Sequence, residues 1–130
     1  MKKTTIDYYD GIHGPVLYIG AKNRKWLINM KNAVFKLRGG IISKIDFNQF
    51  SDVEISGCRT FNMIKATEEI TPCVKCRDNM EILWVQDDKG LEYTLHLIDH
   101  LLVKNLMGHQ LLDEDEIVIE LSYKENSLDI

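Results

Sequence analysis

Residues 15–40 read PVLYIGAKNRKWLINMKNAVFKLRGG. Val16-Leu17-Tyr18-Ile19 is a short apolar run closed by Gly20, which predicts a buried strand leading into a helix. Trp26, Leu27, Met30, Ala33, Val34 and Leu37 then recur at offsets 0, 1, 4, 7, 8 and 11, one face of a 3.6-residue period. Asn23 is placed to cap the first turn, and Lys36 and Arg38 suit the negative end of the helix dipole. Gly39 is expected in the left-handed position that closes the helix. Lys22, Arg24 and Lys25 oppose the dipole at the other end, so solubility or some further requirement put them there. Ile28 and Phe35 lie nearly opposite the main stripe. Either the chain buries both sides of this helix, or Ile28 and Phe35 form a contact surface.

Working outward, Thr4–Tyr9 has strand composition, and Gly11, Gly14 and Pro15 mark a turn. Residues 41–47, 53–55 and 60–66 read as further strands. Glu68–Asn79 is polar, holds Pro72, and reads as a loop. Ile82–Val85 reads as a strand, and Asp87-Asp88-Lys89-Gly90 as a turn. Leu91, Tyr93, Leu95 and Leu97 alternate with polar residues, which predicts the returning strand of a hairpin. Leu91, Leu95, Ile98 and Leu102 also fit a helical period, the competing assignment. A short helix is expected over 101–106, a last strand over 117–121 and a loose tail at 124–130. The sum is a single α+β domain over residues 1–130, in two layers. One main helix packs on a mostly antiparallel sheet of about five or six strands.

A chain of 130 residues, 45% hydrophobic and 28% charged, can bury a core and is not of disordered composition. MKKTT lacks the apolar stretch of a signal peptide, and no apolar run reaches a membrane span. Three cysteines, an odd number, argue against a secreted disulfide framework, so a cytoplasmic location is expected. Net charge is −4, unevenly placed: residues 1–65 carry 11 Lys and Arg against 5 Asp and Glu, residues 66–130 carry 5 against 15. The acidic half disfavours nucleic-acid binding and suits a basic protein partner.

Cys73-x-x-Cys76 followed by His96-x₃-His100 has the order of a zinc site. The 19-residue gap exceeds the usual window, and on a strand the two histidines stand about 13 Å apart, so no metal site is expected. A redox role for Cys73 and Cys76 needs a helix start after them, where a strand is expected. Cys58 reads as a small buried residue. Asp87 and Asp88, at a hairpin tip, and Asp113, Glu114, Asp115 and Glu116, before the last strand, are the candidate partner-binding residues.

Leu17-Tyr18-Ile19-Gly20, then a charged turn and a helix carrying Leu27 and Ala33, resembles the opening of some small bacterial immunity proteins, over residues 16–40. The resemblance implies a protein that protects its cell by binding a toxin. No family site residues carry over, because Arg24-Lys25-Trp26 stands where such relatives have a glycine. The expected function is therefore non-enzymatic: an immunity or inhibitor protein that needs no cofactor and neutralises a basic toxin or nuclease. The alternatives are an adaptor that forms a homodimer through Ile28 and Phe35, and a small zinc or redox protein using Cys73 and Cys76.

Overall fold

The computed structural model describes residues 3–104, 108–114 and 116–123, with only the backbone at 104 and 108–114. The helix expected after Asn23 is α1, Arg24–Arg38, and its inner stripe of Trp26, Leu27, Met30, Val34 and Leu37 is buried. Asn23 is extended and its side-chain oxygen accepts the Trp26 N–H at 2.8 Å. Gly39 stays right-handed at φ −78°, and Gly40 takes the left-handed position at φ +76°. The closure is a Schellman motif one residue later than expected: Ile41 N–H donates to Lys36 O and Gly40 N–H to Leu37 O.

The strands form two sheets. β1 (Thr4–Gly11) and β2 (Gly14–Ala21) are a hairpin. β3 (Lys44–Asp46) is shorter than the run 41–47 suggested, because Phe47–Gln49 turns into a single 3₁₀ turn. Next come β4 (Val53–Ser56), β5 (Thr60–Lys65), β6 (Cys73–Arg77) and β7 (Glu81–Gln86). β8 (Gly108–Glu114) and β9 (Val118–Tyr123) complete the set. One sheet has the order β4-β1-β2-β9-β8, the other β3-β5-β7-β6. Both are mixed: β1–β4, β2–β9 and β5–β7 are parallel and the other pairs antiparallel. β6 corrects the polar loop expected over 68–79. The tail 124–130 lies outside the described residues.

The returning hairpin strand does not form. Residues Asp88–Lys104 are a second helix, α2, which absorbs both that strand and the short helix expected over 101–106. Leu91, Thr94, Ile98, Leu101 and Leu102 are its buried stripe. The supposed turn is its start: Asp87 Oδ1 accepts the Gly90 N–H at 2.8 Å, and Leu91 N–H donates to Asp87 O. The alternation of Leu91, Tyr93, Leu95 and Leu97 loses because Tyr93 is exposed while Thr94 and Ile98 are fully buried.

α1 and α2 pack antiparallel, and this gives Arg24 at the start of α1 a partner. Arg24 Nη1 donates to Leu102 O at 2.7 Å, placing a cation on the carbonyl end of α2. One apolar core draws on both helices and on the inner faces of both sheets, including Ile6, Leu17, Ile119, Met63 and Trp84. Phe50 bridges α1 to the sheets, with its ring 5.4 Å from Trp26 and 5.2 Å from Phe47. Phe47 stacks on Phe61 at 4.4 Å, and Phe61 lies 6.2 Å from Trp84.

The chain passes from β4 in one sheet to β5 in the other at Gly57. A Cβ there would stand 1.9 Å from the Tyr8 carbonyl oxygen, and φ is +80°. Gly57→Ala is therefore expected to destabilise by about 2 kcal/mol or more. Met30→Ala is expected to cost about 2–5 kcal/mol. Lys31→Ala, which loses only a half-exposed ion pair, should cost about 1 kcal/mol or less. Urea midpoints of the three variants check this order.

Candidate functional site

Much of the charge asymmetry is used within the helix layer. Lys31 Nζ meets Asp99 on α2 at 2.6 Å, Arg38 meets Glu92 at 3.5 Å, and Lys65 meets Asp88 at 2.9 Å. Each pair joins the basic half of the chain to the acidic half. Lys65 also donates to Arg38 O at 3.0 Å, so it sits between the carbonyl end of α1 and the start of α2. The hydrogen bond and then the charge of Lys65 lower the Asp88 carboxyl below its usual range. The stability from that pair is present above the ordinary carboxylate pKa and is lost as pH falls through the lowered value. Asp87 and Asp88 are thus at a helix start, not a hairpin tip, and both serve α2.

The second acidic cluster is differently placed. Asp113 and Glu114 belong to β8, not to a loop, with Glu114 paired to Val118 and Asp113 to Ile119. Glu116 is exposed, and Asp115 lies outside the described residues. This run closes one edge of the five-stranded sheet.

That sheet contains no lysine or arginine in any of its five strands, and it holds Asp7, Asp10, Glu54, Asp113, Glu114 and Glu120. Strand alternation sends Ile6, Leu17, Ile19, Ile119 and Leu121 into the core. Thr5, Asp7 and Tyr9 of β1, Val16 and Tyr18 of β2, and Glu54 and Ser56 of β4 fall on the opposite, outer face. Glu54, Ser56 and Tyr9 are exposed, and Asp7, Val16 and Tyr18 are half-buried. The register lines up three rows: Tyr9, Val16 and Val118; Ser56, Asp7, Tyr18 and Glu120; Glu54, Thr5, Gly20 and Ser122. Ser56 Oγ donates to Asp7 Oδ1, which holds that carboxylate in place. Tyr18 lies across Gly20, where a Cβ would come within 2.8 Å of its ring. The face therefore presents tyrosines, held by the strand pairing, among carboxylates. Summing charge by sequence half missed it. Adding it up by strand, once the strand order is known, finds it.

The remaining candidates separate. His96 and His100 share the outer side of α2, one turn apart as the helix places them, and both are exposed. Cys73 and Cys76 sit three apart on β6, so they point to opposite faces of that strand. Among the described residues no group of three or more His, Cys, Asp or Glu is arranged to hold a metal. Cys76 instead lies beside Tyr8, whose phenol is pushed up by burial and then by Cys76. Cys58, next to Gly57, joins them: burial first, then Cys76 and Asp7, push its thiol up to about 11. Ile28 and Phe35 are exposed on the back of α1, Phe35 at 61%. None of the described helices is long and apolar enough to cross a membrane.

Comparison with protein-family models, curated proteins and solved structures gives no match.

The thiolate is the reacting form, so a thiol raised to about 11 is almost wholly protonated at pH 8. Iodoacetamide is expected to alkylate exposed Cys76 roughly tenfold or more faster than Cys58. The Cys58 rate should keep climbing with pH well past the ordinary thiol range. A mass-spectrometric time course at several pH values measures both.

Proposed function

We propose that the protein is a non-enzymatic inhibitor of the immunity type, which binds one basic toxin or enzyme through the outer face of its five-stranded sheet. The observation that supports this reading is the composition of that face: tyrosines among carboxylates, in a sheet whose strands hold no lysine or arginine. Tyrosines offer large contact area at low entropic cost, and carboxylates of one sign speed the approach of a cationic surface. Glu116, exposed just before β9, adds to the same field. The resemblance of residues 16–40 to small immunity proteins points the same way.

A second reading is favoured by the exposure of Ile28 and Phe35: self-association through the back of α1. Phe35→Glu separates it from the first. If α1 is the dimer contact, this variant should elute as a folded monomer where the wild type elutes as a dimer.

The test of the first reading is co-expression with the product of each neighbouring gene, a basic protein being the partner expected. The wild type is expected to protect the cells and to bind that protein rapidly at low salt. Glu54→Gln with Glu116→Gln should leave the urea midpoint unchanged and slow association by about tenfold, with a weaker salt dependence. Equal association rates for both proteins at low salt would remove the sheet face from the binding role.

A further inference from the structure

We infer that the hairpin end of the acidic sheet face seats one bulky apolar side chain of a cationic polypeptide segment. This rests on the function proposed above and specifies the part of the partner that docks. The sheet ends there in a groove of about 530 Å³ lined by Tyr9, Asp10, Ile12, His13, Val16 and Val118. Its floor is built by the fold: Tyr9, Val16 and Val118 occupy one register row across β1, β2 and β9. Ile12, in the turn between β1 and β2, stands 97% exposed above it, and Tyr9 is 47% exposed. A β-branched residue so fully in water at a tight turn does nothing for the core, whereas an apolar partner would cover it.

The surroundings select the occupant. Asp10 and Glu116 are exposed beside the groove and the start of β9. The next row along the strands, about 6.8 Å away, carries Asp7 beside Tyr18. That distance is the i to i+2 spacing of an extended chain. An apolar residue in the groove therefore brings a lysine or arginine two positions away over Asp7. A second copy of this chain is disfavoured, because joining two such faces opposes their carboxylates. Nucleic acid and anionic lipid are disfavoured by the same field.

The probes are short fluorescein-labelled peptides in which Leu and Lys stand two positions apart (repeats of Leu-Ser-Lys-Ser, the Leu/Lys peptide), with Ser in place of Leu or Glu in place of Lys as the two controls, titrated with the full chain by fluorescence anisotropy. The Leu/Lys peptide is expected to bind at least about tenfold more tightly than either control and to weaken with salt. Ile12→Ser, at a position too exposed to affect folding, and Tyr9→Ser should each weaken it about tenfold. Phe35→Ser, on the back of α1, should bind as the wild type does. No preference for the Leu/Lys peptide, or unchanged binding by both groove variants, overturns the inference. So does a dimer seen by light scattering that Ile12→Ser dissolves, since the groove then serves self-association. The two proposals fail separately. If protection by co-expression is absent but the Leu/Lys peptide binds through Ile12, the toxin partner is wrong and the groove assignment stands. If protection is intact and the groove variants protect fully, the groove assignment is wrong and the inhibitor reading stands.

Discussion

The two sheets share one core because the chain crosses between them at Gly57, pressed against the backbone of Tyr8. Any side chain there collides with the Tyr8 carbonyl, and the backbone is left-handed, so only glycine fits. This contact brings β4 against β1 in one sheet and starts β5 in the other. It also half-buries Cys58 near Cys76 and Asp7, and burial first, then those two groups, raise its thiol. With the corner fixed, the inner faces of both sheets turn toward the same helices. Phe47, Phe50, Phe61, Trp84 and Trp26 fill the space between as a chain of ring contacts. The outer face of the five-stranded sheet is what this arrangement leaves uncovered.

Charge follows the same division. The cations of α1 and Lys65 meet the anions of α2, and Arg24 meets a carbonyl near its end, so the antiparallel helices are matched end to end. These partly exposed pairs are individually small in energy and serve chiefly to fix how the helices lie. The carboxylates of the sheet have a different setting. No lysine or arginine lies in any strand of that sheet, Asp7 is held by Ser56, and Glu54 stands exposed to solvent. The separation is spatial, between a helix layer tied by three ion pairs and an acidic sheet, rather than between the two halves of the chain.

The α+β class and α1 were legible in the sequence, because the stripe from Trp26 to Leu37 has a period that no strand can mimic. The Asn23 cap and most strand positions were legible for similar local reasons. α2 was not, since Leu91, Tyr93, Leu95 and Leu97 alternate and Asp87–Gly90 has the residues of a turn. Asp87 caps a helix with the same chemistry that would open a turn, and local composition cannot tell the two apart. The second sheet depends on which strands pair, a long-range property set at Gly57. The acidic points were found as residues but not as surfaces: Asp87 and Asp88 are engaged by α2 and Lys65, whereas Asp7 and Glu54 gain meaning only when β1, β2 and β4 stand side by side.

Carboxylate footprinting most directly tests whether the cation-free sheet face is the contact surface. The protein is modified with a carbodiimide and an amine, alone and in complex with the basic partner proposed for it, and each site is read by mass spectrometry. Glu54 and Glu116 should lose reactivity in the complex, while Glu92 on α2 should react at its free rate. Protection of Glu92 with undiminished reaction at Glu54 and Glu116 would contradict the assignment and place the contact on the helices.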